Sequence, residues 1–372
     1  MNDKILLSAS NLSDNSFLKE MLIQEESPFF DNINSFESKL ELYLSNKNVA
    51  ALNSGTSAIH LALILSGVVL GDEVLCQSFT FVASANPIVY LGAKPIFIDS
   101  EKDTWNMCPK YLEEAIKDRI LKGKKPKAII IVHSYGMPAK IDEIILIANK
   151  YKIELIEDAA GALGSTFKKI KCGTFGKYGV FSFNRNKIIT TSGGGAIVCN
   201  REIDKQKVIS LATQARINVV HYQHQDVGYN YRISNILAGI GVKQFDLLDK
   251  YVSRRRKNNQ FYSELFNNMV GITLHKEPNP NYFSNHWLTC ILVNEKLAGF
   301  SKEDLRLQLL KDHIESRPLW KPMHLQPVYK DCSYYGESVS ERLFKSGLCL
   351  PSGSNLTEND FERITTSIKK FL

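Results

Sequence analysis

The 372-residue sequence has no apolar run of 18 or more residues, so no segment reads as a membrane-spanning helix. Met1-Asn2-Asp3-Lys4 leads into no apolar signal core and no small-residue cleavage site, and the expected location is cytoplasmic. The seven cysteines are odd in number and scattered, with no CxxC pair. That argues against a disulfide framework or a zinc site and for reduced thiols, and no metal is expected. Repeats, low-complexity tracts and Gly/Ser linkers are missing, which excludes solenoids and disordered chains. Charge of one sign is also in short supply: 46 basic against 39 acidic residues leaves only +7. Such an excess helps to draw in an anionic ligand but does not call for nucleic acid. The densest basic run, Arg254-Arg255-Arg256-Lys257, follows Phe245, Leu247, Leu248 and Val252 on what reads as one long helix. It is expected to be a solvated helix face. A nucleic-acid module would rest on that run alone and would predict salt-sensitive DNA binding.

What is present is ordinary globular composition, 44% apolar and 23% charged, at a length that suggests two domains. Short apolar runs recur at 74–76, 95–98, 128–132, 154–157, 179–183 and 196–198, and continuous runs of this kind read as strands buried on both faces. Helix-like stretches at 57–67, 80–91, 109–121 and 140–151 alternate with the earlier ones. The pattern predicts an α/β sheet covered on both sides. A long helix is expected from about 235 to 268, then a Pro/Asn-rich loop at 277–285, a strand at 288–293, a helix at 301–311 and a last helix after Thr357. The division falls near residue 250, giving a large domain over 1–250 and a smaller α/β domain over 251–372.

Three segments carry chemistry. Asn53-Ser54-Gly55-Thr56-Ser57-Ala58 is a small-residue turn that opens a helix. Its free backbone N–H groups and hydroxyls suit a phosphate, although a plain N-cap explains Ser54 or Thr56 equally well. Leu155-Ile156-Glu157-Asp158-Ala159-Ala160 places a carboxylate at the end of a buried strand, where α/β folds hold ligands. Asp158 there either keeps a proton on a heterocyclic nitrogen or caps the next turn. Phe181 to Gly195 carries Lys187 just beyond a buried strand, followed by hydroxyls and three glycines. A partly desolvated lysine loses proton affinity and becomes an amine nucleophile. The order is phosphate turn, Asp158, then Lys187 29 positions later. That constellation fits pyridoxal 5'-phosphate: phosphate anchored at the turn, Asp158 protonating the pyridine nitrogen, Lys187 holding the aldehyde as a Schiff base.

These motifs, together with 52–58, 78–84, 95–99, 157–160, 187–191 and 228–232, make the sequence similar to the DegT/DnrJ/EryC1/StrS family of PLP-dependent sugar aminotransferases. The likeness runs over nearly the whole chain. Residues 186–195 and 316–324 resemble the branch that aminates C4 of UDP-4-keto-6-deoxy-GlcNAc, as in bacillosamine synthesis. The resemblance implies an aspartate-aminotransferase-like fold (PLP fold type I), with a mostly parallel central sheet in the large domain. By matching positions it implies that Phe81 stacks on the cofactor ring and that Gly55, Thr56 and Ser182 hold the phosphate. It also implies that Asn230 reaches the phosphate of a neighbouring subunit, hence a homodimer with shared sites. Arg317 and His324 match the segment lining the sugar-nucleotide pocket, and Arg216 is a weaker candidate to touch the ligand.

The sequence departs from the family pattern in three places. Gly161 stands where relatives carry His, Gln or Glu. Arg185 replaces a glycine two residues before Lys187, and either meets a substrate phosphate or carboxylate or points to solvent. The N-terminal segment, 8–13 and 28–32, lacks the usual Pro and Gly residues. The expected reaction moves an amino group from L-glutamate to a nucleotide-linked 4-keto-6-deoxy sugar for glycan synthesis. Alternatives are a dTDP-linked 3- or 4-keto sugar, or a PLP-binding protein without turnover. The sugar 3-dehydratase branch replaces the lysine with histidine, so Lys187 argues against it.

Overall fold

A computed structural model describes residues 3–9, 31–45 and 48–371. The expectations attached to residues 10–13 and 28–30 lie outside these. Eight strands form the central sheet: β1 (Asn48–Leu52), β2 (Glu73–Gln77), β3 (Lys94–Ile98), β4 (Ala128–Val132), β5 (Glu154–Asp158), β8 (Tyr178–Ser182), β9 (Gly195–Cys199) and β14 (Tyr334–Tyr335). Their order is β1-β9-β8-β5-β4-β2-β3-β14, parallel except where β9 runs against β1 and β8. Alternate residues of the buried strands serve opposite faces. Leu75, Ile129, Ile131 and Leu155 pack with Leu112 and Ile116 of α4 (Pro109–Leu121) and Ile144 of α5 (Ile141–Tyr151). Val74, Cys76, Ile130 and Ile156 pack on the other side with Ala58 and Leu61 of α2 (Gly55–Leu65). Each such aliphatic side chain, fully removed from water, contributes about 1.5–3 kcal/mol. Helix α1 (Asn32–Tyr43) adds Phe36 and Leu40 to a third cluster, which also contains Phe181, Phe183 and Trp287.

Between β6 (Thr166–Phe167) and β7 (Ile170–Lys171) the chain makes a tight hairpin, extended by β11 (Tyr282–Phe283). A second sheet, antiparallel throughout, has the order β10-β12-β15-β13, from β10 (Ile272–Leu274), β12 (Thr289–Val293), β13 (Arg317–Pro318) and β15 (Gly347–Leu350). Leu305 and Leu309, with Ile364 and Ile368 of the last helix, fill its core. Two segments cross the expected division near 250. Ile5 bridges Ile314 in the smaller unit, and β14 lies at the edge of the large sheet beside β3.

The expected helix at 80–91 is a 3₁₀ turn, Val82–Ser84, followed by a short α3 (Asn86–Tyr90). Pro87, at the start of that helix, lacks an N–H and disfavours helical backbone in the residue before it, so one continuous helix cannot form. The expected helix from 235 to 268 is two helices. After α6 (Glu202–Ala212) come α7 (Asn235–Phe245) and α8 (Leu248–Leu265), with a turn at Asp246-Leu247. The basic run on α8 is not one solvated face. Arg254 and Lys257 are exposed, Arg254 also donating to Ser354 O (2.9 Å), whereas Arg255 is fully buried and the half-buried Arg256 pairs with Glu277 (2.6 Å). No helix among the described residues is long and apolar enough to cross a membrane.

Candidate active site

The carboxyl ends of β1, β2, β4, β5 and β8 open onto a cavity of about 740 Å³. Parallel α/β sheets bind ligands at this edge, because strand ends and helix starts meet there. Leu52 ends β1, and the chain turns through Asn53 and Ser54 into α2. Ser54 caps that helix, its Oγ accepting from Ser57 N at 3.0 Å. The first-turn N–H groups of Gly55 and Thr56 have no partner within the helix and line the cavity. Ser182, at the end of β8, stands beside them. A Cβ on Gly55 would come within 3.1 Å of the Ser182 Cβ, so glycine lets these two elements close into one cradle. On the other side of α2's start, a Cβ on Gly195 would lie 2.3 Å from the Ser54 carbonyl carbon; only glycine fits there.

Asp158 ends β5 with its side chain almost wholly buried. Ser84 Oγ donates to its Oδ2 (2.6 Å) and Ala160 N to its Oδ1 (3.1 Å). Behind it, Glu157 points to the opposite face and accepts from His133 Nε2 (3.0 Å), Gly173 N (2.8 Å), Phe175 N (2.5 Å) and Gly176 N (2.6 Å). Ala139 N donates to His133 Nδ1 at 3.0 Å, so the imidazole proton sits on Nε2, facing Glu157. This buried, fully bonded carboxylate pins the end of β5 and so fixes Asp158.

Lys187 lies in a turn after β8, its N–H bonded to Asn184 O (3.0 Å). Burial pushes its ammonium down from 10.5 to about 8, against the opposing pull of the Asp158 carboxylate. Its Nζ sits 3.8 Å from the centre of the Trp287 ring. Trp287 is held in turn. Its Nε1 donates to Asn186 O (2.7 Å), Ser8 Oγ donates to the same oxygen (2.8 Å), and Arg255 donates to Trp287 O and to Ser8 Oγ (2.9 Å). Arg255 is thus a buried cation whose hydrogen bonds join the N-terminal segment, the approach to β12 and the lysine turn. Trp287 also accounts for Gly161: a Cβ there would come within 2.8 Å of the indole, so the ring occupies the space of the missing polar side chain.

The structure brings Gly55, Thr56, Phe81, Asp158, Ser182, Lys187 and Arg317 to one cavity. Phe81 is 59% exposed, presenting an open aromatic surface. Arg317 is at the rim, its Nη2 2.8 Å from Glu315 Oε1, and both line the cavity. His324 is not brought there. It stacks on Tyr334 (3.8 Å between ring centres), its Nδ1 bonds Ser78 Oγ at 2.7 Å, and Nε2 lies 3.5 Å from Glu341. The 3₁₀ turn Met323–Leu325 sets it against Tyr334 of β14, which spacing from Arg317 does not reveal. Arg185 is exposed and outside the cavity lining, although its neighbours Asn184 and Asn186 belong to it. Asn230 is exposed, its carbonyl accepting from Asn53 Nδ2 (3.1 Å). Arg216 is exposed too, lying over the Tyr222 ring at 4.3 Å. Sequence reasoning assigned no role to Trp287, His133, Ser84 or Glu315. Ser84 was within a quoted motif, but nothing in the sequence showed that it meets Asp158.

The donors present suit pyridoxal phosphate. Helix-start N–H groups and hydroxyls match the phosphate, a bonded carboxylate matches the pyridinium, a desolvated lysine matches the aldehyde, and Phe81 offers a stacking face. Fold and site together define a PLP-dependent aminotransferase. A model of the DegT/DnrJ/EryC1/StrS aminotransferase family matches residues 15–369, and the chain belongs to that family. It is 46% identical to the Bacillus subtilis protein EpsN over 98% of this chain and 95% of that protein. It is 36% identical to GDP-perosamine synthase of Escherichia coli O157:H7 over 91% of this chain and 90% of that enzyme. Among solved structures, a DegT/DnrJ/EryC1/StrS aminotransferase from Brucella abortus superposes with a TM-score of 0.88, at 30% identity, covering 96% and 94% of the two chains.

Proposed function

We propose that the protein transfers the amino group of L-glutamate to C4 of a nucleotide-linked 4-keto-6-deoxy sugar, UDP-4-keto-6-deoxy-GlcNAc being the expected substrate. The observation that carries this reading is that Asp158 and Lys187 share a cavity with the Gly55-Thr56-Ser182 cradle. When bound, the cofactor supplies an electron sink for the carbanion at the reacting carbon. Lys187, its amine free at mildly alkaline pH, takes the α-proton from the donor and delivers a proton to sugar C4. Asp158, oriented by Ser84 and Ala160, holds the ring-nitrogen proton in place. The indole of Trp287 shields Lys187 from water on one side. Arg317 exchanges Glu315 for the sugar-nucleotide diphosphate, a charge-assisted contact of the kind guanidinium makes well.

The same reading includes a homodimer in which Asn230 serves the partner's cavity. Its support is the exposed position of Asn230, close in sequence to Val220, Tyr222 and Val227, which are 105%, 79% and 84% exposed. A GDP-linked sugar is the second reading, favoured by the 36% identity to GDP-perosamine synthase.

A glutamate-dependent assay over UDP-, GDP- and dTDP-linked 3- and 4-keto sugars, with NMR of the product, tests the assignment. Conversion of 3-keto sugars alone overturns C4, and conversion of GDP-sugars alone selects the second reading. One substrate leaves before the next enters, so ping-pong kinetics are expected; kinetics that require both substrates bound together refute the scheme.

A further inference from the structure

A second cavity, of about 1000 Å³, opens between the β6–β7 hairpin, helix α8 and the segment from Leu274 to His286. Its wall is strongly cationic. Lys169, Lys171, Lys257 and Lys276 line it, and among the described residues none of the four forms a salt bridge. Arg256 also lines it but is matched by Glu277, and Asp249 is the other carboxylate on the wall. At neutral pH the lining therefore carries more positive than negative charge, in a chain whose overall excess is slight.

Two further features mark this wall as a place for a ligand. Lys171 is partly buried, with Nζ 3.8 Å from the centre of the Tyr43 ring; burial lowers its pKa, against the weaker opposing pull of the Asp249 carboxylate, with which it forms no salt bridge. His286 lines the cavity with its side chain only 10% exposed, and its Nε2 is 3.9 Å from Glu277, beyond hydrogen-bond reach. Burial pushes that imidazole down to about 4, so at neutral pH it is uncharged and offers one N–H. The backbone agrees. Lys168 and Lys169 form the hairpin turn at φ +49° and +66°, where Asn or Gly is the inexpensive choice. A lysine at this tip projects a cation over the cavity.

We infer that this cavity is a second anion site, which takes a small molecule bearing a diphosphate group between Lys171, Lys257 and Lys276, with His286 donating to one of its oxygens. A single exposed ion pair in water is worth little, so one phosphate charge would be held poorly and several lysines acting on a polyanion are needed. A cavity of this volume lies at the upper end of the range that small-molecule ligands occupy. The site is separate from the catalytic cavity, with which it shares no lining residue. The two meet along one stretch of chain, since His286 is followed by Trp287, whose ring lies against Lys187.

The test is isothermal titration of the PLP-loaded protein at low ionic strength with inorganic pyrophosphate and, separately, with UDP. It compares wild type, Arg317→Ala and the triple variant Lys171→Ala/Lys257→Ala/Lys276→Ala. Pyrophosphate binding is expected to weaken about tenfold or more in the triple variant and to persist in Arg317→Ala. Tighter binding of UDP than of pyrophosphate in Arg317→Ala, abolished when the three lysine substitutions are added, identifies a nucleotide as the source of the diphosphate; equal or weaker binding, or UDP binding that the lysine substitutions leave intact, identifies a free or sugar-linked one. Pyrophosphate affinity within twofold of wild type in the triple variant overturns the proposal, as does a wild type that binds none at millimolar concentration. Turnover by the triple variant is measured alongside and is expected to be retained. The binding readout does not depend on which sugar is aminated, so a failure here is distinguishable from a failure of the proposed reaction.

Discussion

A buried lysine kept ready to react should cost the fold stability, and Lys187→Met in the cofactor-free protein measures that cost. Burial holds the Lys187 ammonium at about 8 where an exposed lysine sits at 10.5. Below pH 8 the group is charged in both folded and unfolded chains, and the folded state carries the whole desolvation penalty. Between 8 and 10.5 the folded amine is neutral while the unfolded one still binds its proton, so stability rises with pH across that window. Above 10.5 the penalty is gone. Each pKa unit corresponds to about 1.4 kcal/mol, which makes the penalty about 3 kcal/mol at pH 7. Methionine has similar length and no charge. Equilibrium urea unfolding should find Lys187→Met more stable than wild type by about 3 kcal/mol at pH 7, with the gap closing towards pH 10.5. A variant no more stable than wild type at pH 7, or a gap that stays constant with pH, refutes the argument that the lysine is held under desolvation.

Three further outcomes are expected. Trp287→Leu removes a cation–π contact worth about 0.5–2 kcal/mol, so the Lys187 pKa should fall further, by about 0.4 to 1.5; pH-dependent reductive methylation of the cofactor-free protein reads it, and a rise contradicts the contact. Asp158→Asn removes the carboxylate that raises the lysine's pKa, so the same measurement should again move downward, accompanied by loss of transaminase turnover. Glu157→Gln places an amide where four donors converge and leaves some of them unpaired in the core; it should cost about 3–5 kcal/mol in urea unfolding, whereas a loss below about 1 kcal/mol would mean that the brace behind Asp158 is dispensable.

The buried strand at 128–132 was legible because an unbroken Ile and Val run has few other places in a chain of this composition, and the strand read at 154–157 from its Leu-Ile pair extends to Asp158. Among the candidates that share the cavity, Asp158 and Ser182 were legible because each ends a strand, and Gly55 and Thr56 because they open a helix, so local sequence positions them. Strand β1, Asn-Val-Ala-Ala-Leu, was not recognised, since small residues give a weak strand signal although this strand leads into the phosphate turn. Arg255 was misjudged because charge pattern alone cannot tell a solvated guanidinium from one whose hydrogen bonds lie 32 and 247 positions away in sequence. Trp287 and Glu315 reach the cavity from the smaller unit, and only tertiary structure relates them to Lys187. His324 shows the converse, a residue close in sequence to Arg317 that a single 3₁₀ turn sends to a different surface.

The ring of hydrogen bonds around Asn186 also sets a timetable for the growing chain. It joins Ser8, Asn186, Arg255 and Trp287, and the residue that completes it follows the first by most of the polypeptide. During synthesis Ser8 leaves the ribosome long before the indole that shares its acceptor exists. Closing so long a loop costs entropy that is recovered only when the last partner arrives. The lysine turn therefore stays loose until the C-terminal unit has been made and docked. A chain truncated before Trp287 should keep much of the large sheet and still lack a firm seat for Lys187, so tight cofactor capture becomes a late event that reports a finished molecule.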